Sequence, residues 1–195
     1  MTVHLRPLSR EDADRVLAWR NSPEVARWMY GDGDIAPADH ARWIDAVLAA
    51  REAAEPDRLY WIVEVNGAGV GVANLVRIDR DAGTCDWAYY LADPAVRGRG
   101  VGSAVEYAVL SQVFGALGLE RLACEVFVEN SAVIALHEAF GFRRQCLLRA
   151  HVVKAGEDRD VVRLALSSAD WREAEPAARA RMIAKGYDPA SITVG

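Results

Sequence analysis

The pattern of apolar and polar positions changes character twice along the chain. Val3 to Arg6 alternates and stops at Pro7, which predicts a short first strand. Ser9 and Asp12 have the spacing of a weak capping box. Ala13, Val16, Leu17 and Trp19 then give a helix with an apolar stripe, ended by Asn21-Ser22-Pro23. Glu24 to Tyr30 predicts a second short turn or helix. Pro37 opens a third helical stretch, with Ala41, Ile44, Ala46, Val47 and Leu48 at helical spacing. From Trp61 the period becomes two. Trp61, Val63 and Val65 alternate with Ile62 and Glu64, Asn66-Gly67-Ala68-Gly69 turns, and Val70, Val72, Val76 and Ile78 return, interrupted at Asn74. Cys85 to Leu91 is apolar and aromatic on both faces, the mark of a central, covered strand.

The period lengthens again after a Gly-rich loop, Arg97 to Gly102. That loop feeds a helix whose inner side carries Val101, Ala104, Val105, Ala108, Val109, Val113 and Ala116, up to a stop at Gly118. Leu122 to Val128 predicts another core strand, and Ser131 to Phe140 a short helix closed by Gly141. Phe142 to Val153 and Arg159 to Leu166 form a last hairpin around Ala155-Gly156-Glu157. The tail is helical from Ser167 to Lys185, with a break at Pro176, and poorly ordered from Asp188. The order describes one α/β domain on a mixed sheet.

Composition changes this picture little. Hydrophobic residues at 52% and charged residues at 26% are ordinary for a globular chain long enough to bury a core. A formal net charge of −5 without a basic run disfavours nucleic acid as a partner. No apolar run approaches a membrane span, and the N-terminus lacks a signal-peptide core, so a cytoplasmic protein is expected. Cys85, Cys124 and Cys146 are scattered, without close histidines. They read as reduced, structural thiols, with no metal site and no evident nucleophile.

The candidate chemistry sits where the strand ending at Leu91 delivers the chain through Arg97-Gly98-Arg99-Gly100-Val101-Gly102-Ser103 into a helix. Unpaired N–H groups and the helix dipole suit a pyrophosphate, glycines allow close approach, and Arg97 and Arg99 can add charge. Taken alone, a tight turn with solvated arginines is the competing reading. A dinucleotide fold fails on spacing, because no strand with a ribose-binding acid follows about 20 residues later. Glu64, Asp86 and Glu125 are strand carboxylates that could accept a proton, and none stands out.

Arg97-x-x-Gly100-x-Gly102, together with Asn130 through Gly141-Phe142, resembles the two acetyl-CoA motifs of the GNAT N-acetyltransferases, across roughly residues 60 to 166. The resemblance implies a mixed, mostly antiparallel sheet of about seven strands with splayed central strands and flanking helices. It spans a catalytic domain over 1–167, with 168–195 as a C-terminal helical extension and tail. It implies acetyl-CoA as co-substrate, held by Leu91, Arg97, Gly98, Arg99, Gly100, Val101, Gly102, Ser103, Asn130 and His137, and direct attack by a neutral amine. A backbone N–H near Tyr90 or Leu91 would polarise the thioester carbonyl. The family usually places a tyrosine acid where this chain has His137. An imidazolium can do that work, as could Tyr89 or Tyr90; Tyr90 is taken with His137 as catalytic. The missing tyrosine also leaves open an acyl-CoA sensor without turnover.

The N-terminal third carries Trp19-Arg20-Asn21, Glu24-Val25, Met29-Tyr30 and His40-Ala41-Arg42-Trp43. These resemble the nucleotide-sugar branch of the family, which acetylates the 4-amino group of a UDP-linked 4-amino-4,6-dideoxy-N-acetyl-altrosamine in pseudaminic acid biosynthesis for flagellin glycosylation. That likeness makes Arg20, Asn21, Trp28, Met29, Tyr30, His40, Trp43 and Tyr89 acceptor residues. Aromatic planes would take a uracil or deoxy-sugar face, and Arg20, Arg42 and His40 a diphosphate. The same Trp-Arg-Asn start occurs in members that acetylate ribosomal-protein N-termini. The apolar final hairpin and helical tail could support a homodimer.

Overall fold

The computed structural model describes all 195 residues. The elements run β1 (Val3–Pro7), α1 (Ala13–Asn21), α2 (Pro23–Ala26), α3 (Pro37–Arg51), β2 (Leu59–Val65), β3 (Ala68–Asp79), β4 (Thr84–Leu91), α4 (Val101–Ser111), β5 (Arg121–Phe127), α5 (Ser131–Ala139), β6 (Arg143–Lys154), β7 (Glu157–Ser167), α6 (Ser168–Ala184) and β8 (Ile192–Val194). Both hairpins turn on two residues of positive φ, which the right-handed strand twist requires. Asn66 and Gly67 (φ 51° and 81°) join β2 to β3, and Ala155 and Gly156 (φ 51° and 77°) join β6 to β7. Ala68 and Gly69, expected in the first turn, instead pair with Val65 and Glu64.

The eight strands form one open sheet in the order β6-β7-β5-β4-β3-β2-β1-β8. Neighbours are antiparallel except β4–β5 and β1–β8. The period-two alternation of β2 sorts side chains between two cores. Trp61 and Val63 join the larger one, under α4, α5 and α6, while Ile62 joins Leu8, Val16, Ile44, Val47 and Val72 beneath α1 and α3. The parallel pair β4–β5 decides the site. It is in register only at Thr84, Cys85 and Asp86 against Arg121, Leu122 and Ala123, after which the strands part.

Two sequence expectations fail at the C-terminal end. Pro176 lies inside α6 without ending it. The proline is exposed, so the backbone bond it removes opens toward water, while Trp171, Ala178 and Met182 hold the other face in the core. The segment after Asp188 is ordered. β8 pairs parallel to β1, and the last residue donates to Leu5 O and accepts from Trp61 Nε1. The helix after the Gly-rich loop has no solvated outer side, because α6 and β8 cover it. Val101 and every residue from Ser103 to Leu110 are buried. Its last turn is a π-helix, Gln112–Ala116, ahead of Gly118. No helix is long and apolar enough to cross a membrane.

Candidate active site

The loop before α4 begins at Asp93, whose side chain accepts from Ala95 N–H at 2.8 Å and turns the chain. Gly98 and Gly100 then take positive φ (73° and 81°), the region that L side chains resist. The backbone N–H groups of Gly98, Gly100, Val101, Gly102 and Ser103 find no acceptor within the protein. Arg97 and Arg99 are exposed and unpaired. This is the set of free donors and cations that a diphosphate satisfies at a helix N-terminus. Gly102 packs closely: a Cβ there would stand 3.0 Å from the Tyr89 hydroxyl.

A further cation reaches this helix start from the end of the chain. Lys185 Nζ donates to Ser103 Oγ at 2.9 Å, and Tyr187 OH donates to Arg99 O at 2.9 Å. Both side chains crowd Gly100, where a Cβ would meet Lys185 Cδ at 3.1 Å and Tyr187 Cε2 at 3.2 Å. Sequence reading missed Lys185, because nothing local links it to a loop more than 80 positions earlier.

The direction of the β4 amides follows from its pairing. Ala88 N–H donates to Asn74 Oδ1 and Ala92 N–H to Val70 O, so even-numbered amides face β3. Alternation turns the Tyr89 and Leu91 N–H groups toward the gap that opens beside β5. Of the two amides named for the thioester carbonyl, that of Leu91 faces the gap and that of Tyr90 faces β3. The side chains divide as well. Tyr89 stacks on Trp87 (5.4 Å) on the α4 side, next to Gly102, whereas Tyr90 lies on the α1–α3 side with its hydroxyl buried and unpartnered. Burial raises both phenols. Tyr89 thus falls beside the Gly-rich loop and Tyr90 on the side of α1 and α3.

The gap opens into a cavity of about 230 Å³ that passes from one face of the sheet to the other. On the α1–α3 side it is lined by Arg20, Trp28, Met29, Tyr30, Trp43 and Tyr90, and on the α4–α5 side by Trp87, Tyr89, Cys124, Asn130 and His137. Arg20 lies over the Trp43 ring at 4.7 Å, and its Nε is buried without a partner. The loop carrying Tyr30 is tied down from across the site. Tyr30 OH donates to Glu125 at 3.0 Å, Lys154 Nζ to Gly31 O at 2.8 Å, and Ala155 N–H to Asp32 at 2.7 Å. Asn130 opens α5, its C=O accepting from Val133 and Ile134 N–H (both 3.1 Å) while its side chain makes no protein hydrogen bond.

Several expected acceptor groups point elsewhere. His40 is buried, its Nε2 on Ala13 O at 2.8 Å, and desolvation lowers its pKa, so it carries no charge for a diphosphate. Arg42 pairs with Asp39 on the surface. Asn21 closes the following loop through both the C=O and the N–H of Ile35 (3.0 and 2.9 Å). Among the three strand carboxylates, Glu64 pairs with Arg6 (2.7 Å) and Asp86 with Arg77 and Arg163, which leaves Glu125 facing the cavity. Burial pushes the Glu125 carboxyl up, but Tyr30 and Arg163 outweigh it and hold it below its ordinary value. Of the cysteines read as buried structural thiols, Cys85 and Cys124 are buried, Cys124 lining the cavity with His137, whereas Cys146 is exposed. His137 is buried, with Nδ1 2.9 Å from Glu106 Oε1, a partner that sequence reading passed over.

The model of the acetyltransferase (GNAT) domain family matches residues 2–143. An uncharacterized N-acetyltransferase, p20, of Bacillus licheniformis is 25% identical over 171 residues, 86% of this chain and 93% of that protein. The spermidine N-acetyltransferase of Vibrio cholerae, solved with CoA and spermine, superposes with a TM-score of 0.79 at 18% identity, over 88% of this chain and 98% of that one. A chimera based on the same enzyme gives 0.73 at 20% identity, over 89% and 99%.

Proposed function

Because the chain belongs to the GNAT acetyltransferase family and is an acetyl-CoA-dependent N-acetyltransferase, we propose that it joins thioester and amine through the gap between β4 and β5. In this reading the free N–H groups from Gly98 to Ser103 hold the diphosphate, with Arg97, Arg99 and Lys185 adding charge. The Leu91 N–H polarises the acetyl carbonyl, as an amide fixed in a dry site does best. The amine enters from the α1–α3 side and attacks directly. His137, standing where the family usually has tyrosine, protonates the departing sulfur.

The acceptor, on this reading, is an amine carried on a body that is flat or apolar and also anionic. The finer form is a UDP-linked 4-amino-4,6-dideoxy-N-acetyl-altrosamine, as in pseudaminic acid biosynthesis. Arg20 is the observation that carries it. A guanidinium stacked on Trp43, with a buried Nε that no protein group satisfies, is an unanswered cation inside an aromatic pocket. Trp28, Met29 and Tyr30 supply the apolar surfaces beside it. The loss of His40 and Arg42 from the pocket leaves Arg20 alone for the anion, which favours one phosphate contact over a fully clamped diphosphate.

A polyamine is the second reading, since Glu125 faces the cavity. That carboxylate is already bonded to Arg163 (2.7 Å) and Tyr30, and the neighbouring Arg20 repels a polycation. Thiol release from acetyl-CoA separates these readings when UDP-4-amino sugars, spermidine and an N-terminal peptide amine are compared at equal concentration. Turnover with the UDP-amino sugar above the others supports the proposal. Preference for spermidine or the peptide overturns the acceptor assignment.

A further inference from the structure

α4 carries a carboxylate that none of the roles above uses. Glu106 is fully buried, and its own helix offers it no cation, since Gly102, Ser103, Val109 and Leu110 stand three and four residues away. A charge so placed needs a partner from elsewhere in the fold. It finds His137 on α5, whose Nδ1 lies 2.9 Å from Oε1, while Oε2 meets no partner. The imidazole is flanked by the rings of Trp87 (5.3 Å) and Phe142 (5.2 Å). With Nδ1 committed to Glu106, Nε2 is the nitrogen left for the cavity that His137 lines.

We propose that Glu106 is the positioning residue of the transfer site: it locks the His137 imidazole through Nδ1, so that Nε2 presents a proton to the sulfur leaving the thioester. The proposal rests on the reading of His137 as proton donor. In the step itself the amine nitrogen bonds to the carbonyl carbon and the C–S bond breaks. The Nε2 proton passes to sulfur, the nitrogen sheds one proton to solvent, and solvent reprotonates the imidazole, so no further reactant is needed. The electrostatics agree with the geometry. Burial works against charge on His137, but the Glu106 carboxylate and the Cys124 thiol outweigh it, and the imidazole is pushed up to about 10; burial in turn raises the Glu106 carboxyl. The other ionisable groups facing the pair are the Tyr89 phenol on β4 and, on α6, Arg181, which donates to Ala139 O at 2.6 Å. An imidazolium–carboxylate pair has no net charge, so it can keep a transferable proton in a water-poor site at neutral pH.

The test combines Glu106→Gln, His137→Phe and the double variant with a ¹⁵N NMR titration of the His137 ring in the full chain. In the wild type the ring stays protonated through pH 8; in Glu106→Gln it titrates near or below the ordinary histidine value. At pH 8 Glu106→Gln lowers kcat roughly tenfold or more with KM for acetyl-CoA within about twofold, and it moves the alkaline limb of the kcat profile to lower pH. In the His137→Phe background the Gln substitution adds no further loss, because Glu106 acts through the imidazole. An unchanged ring titration in Glu106→Gln, or a full additional loss in the double variant, overturns the role of Glu106. Unaltered turnover in His137→Phe removes the donor reading instead, and the ring titration still decides whether Glu106 governs the imidazole. If Glu106→Gln does not fold, a wild-type ring that is neutral below pH 7 overturns the proposal.

Discussion

His40 and His137 are both buried, at 2% and 3% exposure, yet their surroundings give them opposite chemistry. His40 bonds to a backbone carbonyl and loses proton affinity through desolvation, whereas His137 meets a carboxylate and gains it. Nothing in the residues adjacent to either one distinguishes them. For His137→Phe we expect kcat to fall roughly a hundredfold with acetyl-CoA binding retained, measured by steady-state thiol release. Replacing Arg20 with Met should raise KM for an anionic acceptor roughly tenfold and leave KM for acetyl-CoA unchanged, since an unpaired guanidinium in a pocket acts only on the ligand that answers it. Asp12 is a structural counterpart. It is 2% exposed, it accepts from Ser9 N–H and Oγ (3.0 and 2.9 Å), and it pairs with Arg6 at 2.8 Å. Burial pushes its carboxyl up, but Arg6 and Ser9 outweigh that and hold it below the ordinary value. The folded group is therefore more acidic than the unfolded one. Its stabilisation is present above about pH 4 and is lost as pH falls through the folded pKa. Asp12→Asn should cost roughly 1–3 kcal/mol at pH 7, with the difference from wild type shrinking below pH 4 in denaturant melts. The Ser9–Asp12 spacing revealed this group in advance, because both partners lie within one turn.

At the scale of elements, the Gly-rich entry to α4 was visible because its glycines and the helix behind them are consecutive. What closes over that entry was not, since Lys185 and Tyr187 arrive from beyond α6. Gly100→Ala places a side chain at φ 81° and against both of those groups. It should cost on the order of 1 kcal/mol or more in stability and weaken CoA in titration calorimetry. Lys185→Met keeps the stem that packs on Gly100 and removes the charge. A severalfold rise in KM for acetyl-CoA without a change in Tm is the expected result, and it should diminish in high salt. α6 itself was read correctly in extent and wrongly in continuity. A single exposed proline removes one hydrogen bond, whereas the buried face with Trp171 and Met182 contributes about 1.5–3 kcal/mol per large side chain.

For the whole molecule the decisive feature is a sheet that parts between β4 and β5, giving one cavity walls on both faces of the sheet. Thioester and amine can then be bound together, and initial-rate plots should intersect as for a ternary complex. Because Cys124 lines the same cavity, an acetylated thiol is the competing route; parallel lines, or acetyl-Cys124 in mass spectra of trapped enzyme, would identify it. The sequence alone determined the order and kind of nearly every element, the two loop–helix junctions and the candidate aromatics, because hydrophobic period, turn residues and helix ends act over a few positions. Only the tertiary structure decided which of those residues meet. It paired Glu106 with His137, set Lys185 on Ser103, placed Tyr89 against Gly102 and Tyr90 beside α1 and α3, and took His40 out of the pocket. Those outcomes depend on strand register and on which elements cover α4, quantities fixed by packing between segments far apart in the chain and written in no local pattern.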